Sequence, residues 1–180
     1  MNDDFGTLDG TLDAVWSRLS NGVTNADAPA RTLALATDGP AVRMVVLRGA
    51  DRASGTLTIW TNRASDKVSQ LAGDPRAEAL IWDSAADFQI RLALEVSIAR
   101  GDAGTWDALG PGSRVNYARV PPPGARLAEP DAVQVQPDPA MFAVLTGRIM
   151  RIETLHLTRE RQARARFPHG RLDAAHWIAP

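Results

Sequence analysis

From Phe88 to Gly101 the chain reads FQIRLALEVSIARG, with an apolar residue at every second position. Ile90, Leu92, Leu94, Val96 and Ile98 take one face of an extended strand, and Gln89, Arg91, Ala93, Glu95 and Ser97 take the other. Successive side chains of a strand point to opposite faces, so this is a half-buried strand with one side on a core and the other facing water or a ligand. On a helix the same pattern would smear apolar groups around the whole circumference.

The neighbouring text asks for partners of the same kind. RTLALAT, AVRMVVLRGA, TLTIWTN and AEALIWD are short runs rich in β-branched and apolar residues, separated by turn signals such as DGP and GADRASG. MFAVLTGRIMRIETLHL is a last long strand. Short strands between Gly, Pro and Asp turns indicate a mainly β antiparallel sandwich or barrel. Helices flank it. Leu8, Leu12, Val15, Trp16 and Leu19 recur at helical spacing, with Gly22 as the expected stop. Between Gly101 and Pro139 the text loosens, with Pro111, Pro121, Pro122, Pro123, Pro130, Pro137 and Pro139. A short helix around Trp106 and an otherwise long ordered loop are expected there; a loop of that length is often functional. RERQARARF reads as a solvated basic helix face, and the five tryptophans as core anchors. We take residues 1–180 as one domain, since the apolar fraction of 44% suffices for one core.

Composition narrows the function. Twenty basic and 21 acidic side chains nearly cancel, which argues against a general nucleic-acid or membrane-surface binder. Without cysteine there is no disulfide, thiol catalysis or Cys-ligated metal. His156, His169 and His176 are too scattered for a metal set. No apolar run nears the roughly 18 residues of a membrane span, and the acidic start MNDDFGTLDG lacks a signal-peptide pattern, so a cytoplasmic protein is expected.

One stretch raises a chemical question. In TIWTNRASDKVSQLAGDP a strand gives way to a short helix, with Ser65 as N-cap and Lys67 in the first turn. A cation is disfavoured there by the macrodipole. It becomes favourable where a phosphate sits on the turn, because backbone donors, the hydroxyls of Thr61 and Ser65 and the ammonium then converge on one dianion. Otherwise Asp66 satisfies the dipole and Lys67 extends into water. In RMVVLR, Arg43 and Arg48 lie five apart, so alternation puts them on opposite faces.

The ordered series RMVVLR, IWTNRASDK, DPRAEALIW and FQIRL resembles the pyridoxamine 5′-phosphate oxidase-like flavoproteins, from about Arg31 to Gly101 and again, weakly, from Phe142 to Pro180. The resemblance implies a split β-barrel that binds flavin mononucleotide (FMN) at the interface of a homodimer. It implies that Arg43, Met44, Val45, Val46, Leu47 and Arg48 run along the isoalloxazine and ribityl chain, and that Trp60 and Thr61 stand beside the flavin. Ser65, Asp66 and Lys67 would form the phosphate end, Gln89 would reach the flavin of the other subunit, and Arg166 would also contact FMN.

The same resemblance implies an FMN-dependent oxidoreductase acting on a small molecule. A flavin carrier or sensor without turnover, or the same fold holding a deazaflavin or haem, are the alternatives. The sequence also departs from the true oxidases. Asp66 replaces a second basic phosphate ligand, and Leu155 falls near the place of a tryptophan that packs on the flavin. The Arg-x-His pair used on the substrate is not reproduced: Arg161 and Ala163, or with a one-residue shift Gln162 and Arg164, stand there. The substrate-phosphate ligands have no clean counterpart in the loop, where Arg114, Tyr117 and Arg119 are loose candidates. An efficient pyridoxamine 5′-phosphate oxidase is therefore not expected.

Overall fold

A computed structural model describes residues 3–101, 103–117, 119–159 and 161–180. It opens with helix α1 (Leu8–Thr24), capped by Thr7, whose Oγ1 accepts the Gly10 amide at 3.1 Å. Leu12, Val15, Trp16 and Leu19 are buried on one face, packed toward the barrel. Gly22 does not stop the helix. It lies inside it, where a Cβ would meet the Ala30 carbonyl oxygen at 2.5 Å, so its role is close approach rather than termination.

The strands are β1 (Thr32–Thr37), β2 (Ala41–Asp51), β3 (Thr56–Asn62), β4 (Arg76–Asp83), β5 (Phe88–Arg100), β6 (Arg119–Val120), β7 (Gln134–Val135), β8 (Phe142–Leu157), β9 (Gln162–Pro168) and β10 (His176–Ile178). In the main sheet pairing runs β10-β9-β8-β3-β2-β1-β4-β5, all antiparallel, and β5 also pairs with β8. That last pairing closes β8, β3, β2, β1, β4 and β5 into a six-stranded barrel, the split β-barrel class expected. Phe88, Ile90, Leu92, Leu94 and Val96 of β5 are buried in the core, so the alternation read from the sequence is the one that packs.

Two irregularities part β2 from β3. First, Leu47 pairs with Ile59 but Gly49 with Thr58, so Arg48 is an extra residue in a β-bulge. Such a bulge re-aims a side chain. Second, residues 41–46 of β2 pair with β1, while β3 pairs with β2 only from Ile59 back to Thr56. On its other edge β3 pairs with β8 throughout, so Trp60, Thr61 and Asn62 keep Val144, Ala143 and Phe142 as partners after the pairing with β2 has ended. Beyond the bulge, β2 and β3 therefore separate.

Helix α2 (Asp66–Gly73) comes directly after β3. The segment after β5 holds α3 (Ala103–Ala108), α4 (Pro111–Arg114) and the small hairpin of β6 and β7. It has its own apolar cluster of Trp106, Leu109 and Tyr117 around Phe142, against Trp60 and Val144. The Phe142 ring stands 5.8 Å from Trp106 and 5.0 Å from Tyr117. At Gly101 a Cβ would fall 1.8 Å from that ring, so only glycine lets the chain leave β5 there.

Two further expectations fail. The basic run is strand β9 rather than a helix face, because it pairs with β8 from Arg151 to Leu157 and gives Ala163, Ala165 and Phe167 to the barrel side. Of the tryptophans, Trp16 and Trp106 are buried, but Trp82 and Trp177 are 45% and 40% exposed. Among the described residues no helix is long and apolar enough to cross a membrane.

Candidate functional site

A cavity of about 360 Å³ opens where β2 and β3 separate. Met44, Val45 and Val46 form one side, and among the described residues their backbone has no strand partner on the edge toward β3, whose pairing with β2 ends at Ile59. Trp60, Thr61 and Asn62 form the other side. Asn116, Tyr117 and Pro123 of the long segment close over it.

The two ends of the cavity differ in chemistry. At one end, Ser65 donates to the Asn62 carbonyl at 2.8 Å and gives α2 no side-chain cap; the Val68 amide turns to the Ser65 carbonyl at 2.8 Å, and the Asp66 and Lys67 amides of the first turn have no side-chain cap. Lys67 Nζ donates to Thr61 Oγ1 at 3.1 Å, and Thr61 Oγ1 lies 3.3 Å from Ser65 Oγ. Burial, then the charge of Arg43, pushes the Lys67 pKa down, while Asp66 opposes. An anion placed here would relieve both causes. The Asp66 carboxylate does not line the cavity; it lies beneath Gly124 of the covering segment.

At the other end, the Arg48 guanidinium carbon lies 5.1 Å from the centroid of the Trp60 ring. Its Nε is buried without a hydrogen-bond partner among the described residues. Burial raises the Tyr117 pKa, and neighbouring Arg48 opposes the shift. A flat wall with a spare donor at one end and an anion seat at the other suits an elongated phosphorylated ligand with a planar head.

Residues 13–100 match the family model described as pyridoxamine 5′-phosphate oxidase, FMN-binding domain. The match spans 88 of the 180 residues, and over them the chain is similar to this family. FMN is the family's cofactor, and the donor set of the cavity fits its phosphate and ring. The fold agrees. A pyridoxamine 5′-phosphate oxidase-related, FMN binding protein from Nostoc punctiforme PCC 73102 is 24% identical, with a TM-score of 0.73 over 93% of this chain and 96% of that one. PhzG from Burkholderia lata 383, solved in complex with tetrahydrophenazine-1-carboxylic acid, is 17% identical, with a TM-score of 0.73 over 100% and 98%. General Stress Protein 26 from Bacillus anthracis str. Sterne is 16% identical, with a TM-score of 0.53 over 79% and 98%. No curated protein matches the chain by sequence.

Within this oxidase-type barrel the residues expected at the cofactor divide into three groups. Met44, Val45, Val46, Arg48, Trp60, Thr61, Ser65 and Lys67 line the one cavity. Arg43, Leu47 and Asp66 point elsewhere. Leu47 is in the core, and Arg43 donates to Thr37 Oγ1 at 2.6 Å and Gln70 Oε1 at 2.8 Å, acting on the site through its charge on Lys67. Gln89 and Arg166 lie outside the cavity, on strands β5 and β9. Gln89 sits opposite Trp82 and Leu155, and Arg166 donates to Glu153.

Four residues escape the sequence reading. Asn62 lines the cavity and donates from Nδ2 to the Tyr117 carbonyl at 3.3 Å. Asn116 and Pro123 join the cavity only because the long segment folds back. Glu153 is 5% exposed yet charged, in contact with four arginines. Burial would raise its pKa, but the Arg164 hydrogen bond and the charges of Arg166 and Arg151 hold it below the usual carboxylate value. Its only sequence signal is a carboxylate on a strand position in RIETLHL, without indication of what lies across from it. A broader groove of about 780 Å³, near Thr37, Asp74, Arg76 and Glu95, contains none of the expected cofactor residues.

Proposed function

We propose that the protein is an FMN-dependent oxidoreductase of the pyridoxamine 5′-phosphate oxidase-related type, acting on a small molecule as a homodimer. The observation that carries this reading is the cavity between the separated strands, with Lys67, Thr61 and Ser65 at one end and Arg48, Trp60 and Tyr117 at the other. Lys67 and the uncapped start of α2 would hold the phosphate, and the β2 edge from Met44 to Val46 would lie along the ring system. Arg48 would donate to the ring's polar edge or to the substrate. The flavin, when bound, supplies two-electron chemistry, and the chain supplies position and electrostatics. Tyr117 and Pro123 would keep water off the reacting face.

The dimer is supported by what one chain lacks. Gln89 and Arg166, expected at the flavin, are absent from the chain's own cavity. Val42 and Met44 are 66% and 63% exposed on β2, and Leu80 and Trp82 are exposed on β4. An apolar face of this kind marks an interaction surface, and a second copy seated on it would bring its Gln89 and Arg166 to the cofactor.

The test is anaerobic reduction of FMN-loaded protein by NADH or NADPH, then reoxidation with a panel of small acceptors. Aromatic acids belong in the panel, given the ligand solved with PhzG. Turnover with any acceptor supports the reading. Tight FMN binding with no reduction and no reoxidation would favour a carrier or sensor.

A further inference from the structure

On strands β4, β5, β8 and β9 six charged side chains form one connected cluster. Glu153 is at the centre. Its Oε1 receives Arg151 Nε at 3.1 Å and Arg166 Nη2 at 3.0 Å, and its Oε2 receives Arg164 Nη2 at 3.1 Å. Arg91 Nη1 is 3.6 Å from the same Oε2. Arg91 also reaches Glu78 at 2.8 Å, and Arg151 reaches Glu78 at 3.7 Å. The strand register builds this lattice, since Glu153 pairs with Arg91 on one side and Arg166 on the other. Four guanidiniums against two carboxylates leave a local charge of +2.

That excess is not required by folding. Like charges on adjacent strands are destabilising, and fewer arginines would balance the two glutamates. The arginine heads are partly open: the side chains of Arg91, Arg151, Arg164 and Arg166 are 38%, 38%, 31% and 41% exposed. Glu153 is the reverse, buried beneath them. The cluster thus turns its positive side outward and keeps its neutralising charge inside.

We propose that this cluster sets the redox balance of the bound flavin, with Glu153 as the positioning residue that both orients Arg164 and Arg166 and moderates their charge. The proposal rests on the dimeric flavoprotein reading, in which Arg166 faces the cofactor of the neighbouring copy. Reduction by two electrons and one proton leaves the isoalloxazine ring with one added negative charge. A net positive cluster beside it favours that form over the oxidised one, as charge near a flavin ring tunes its potential. Partial exposure damps the effect, so it should weaken as salt is added.

The experiment is a redox titration of the FMN-loaded protein with dithionite and reference dyes, alongside separate affinities for oxidised and reduced FMN. Glu153→Gln raises the cluster to +3 and should move the potential upward. Arg164→Gln lowers it to +1 and should move the potential downward. A tenfold change in the ratio of the two affinities corresponds to about 30 mV for two electrons. The double variant Glu153→Gln/Arg164→Gln returns the charge to +2 and should fall near the unaltered protein. Both single variants break the same 3.1 Å ion pair, so a purely structural role would move both in one direction. Shifts of the same sign, or none with FMN bound, overturn the proposal. Glu78→Gln and Arg151→Gln repeat the test at more open positions, should a Glu153 variant not fold. Absence of FMN binding in the unaltered protein would remove the functional reading itself, which is a distinct failure.

Discussion

Lys67 Nζ donates to Thr61 Oγ1 at 3.1 Å, tying the start of α2 to the end of β3 at the floor of the cavity. The contact places a half-buried ammonium where the helix leaves its N–H groups uncapped. A charge-assisted hydrogen bond contributes roughly 1.5–3 kcal/mol. Lys67→Ala should therefore weaken FMN by about one to two orders of magnitude. Riboflavin, lacking the phosphate, should lose much less. Equal losses in parallel titrations would place Lys67 away from the phosphate.

The same residue gives FMN affinity a pH dependence. In the ligand-free protein burial and Arg43 lower the Lys67 pKa, and a bound phosphate would raise it. Binding then takes up a proton wherever the free lysine is partly neutral. Affinity should be full below the free-state pKa and decline as pH rises through it, on the alkaline side. Lys67→Arg, which cannot deprotonate in that range, should flatten the profile. An identical decline in both proteins would assign it to another group.

His156 predicts a second pH effect, on stability. Its ring stacks on Phe5 at 4.0 Å, and burial followed by the charge of Arg18 holds its pKa below the ordinary histidine value, with Asp87 opposing. In a window between the folded and unfolded values the unfolded chain binds more protons. Stability should be full above the ordinary histidine pKa and fall as pH drops through it toward the lower folded value. His156→Phe should remove that part of the slope in melting curves measured across the window. An unchanged slope would mean that other groups carry it.

Much of the architecture was legible because alternation is a strong signal. β5 obeys its apolar alternation, the four strands before it fall where their apolar runs indicate although Val42, Met44, Leu80 and Trp82 face outward, and the Ser65 to Lys67 turn sits where its capping residue indicates. What failed depended on pairing. Arg48 reaches Trp60 through a bulge, and nothing in RMVVLR announces an extra residue. The basic run is a strand because β8 offers it an edge, and an apolar face of Ala163, Ala165 and Phe167 is too small to outweigh the arginines in a local reading. Glu153 acquires its meaning from Arg91, which is 62 residues away in sequence and adjacent in the sheet. The Gly22 helix continues for a similar reason, since the Ala30 carbonyl that needs its missing Cβ belongs to another element.

The substrate side should not support efficient pyridoxamine 5′-phosphate oxidation. Arg114 spends its guanidinium on the Trp106 and Asp107 carbonyls of its own segment, at 3.2 and 2.9 Å. Arg119 is exposed in the small hairpin. Of the three loose candidates only Tyr117 lines the cavity, beside Arg48, and one such pair holds and orients a phosphorylated substrate less firmly than a full set of cationic and hydroxyl donors. Pyridoxal 5′-phosphate formation by FMN-saturated protein should stay below about 1 s⁻¹, the lower end of common turnover numbers. Faster turnover would mean that the segment rebuilds the phosphate site with other residues.

FMN itself is the decisive probe of the purified chain. The protein, as isolated or after mixing, should show the visible bands of bound flavin, and light scattering should give a species of about twice the 19.3 kDa chain mass. Its melting temperature should rise with FMN, since ligand at about 100 times its dissociation constant adds roughly 2.7 kcal/mol. No spectral change and no thermal shift at millimolar FMN would contradict a flavin seat between β2 and β3.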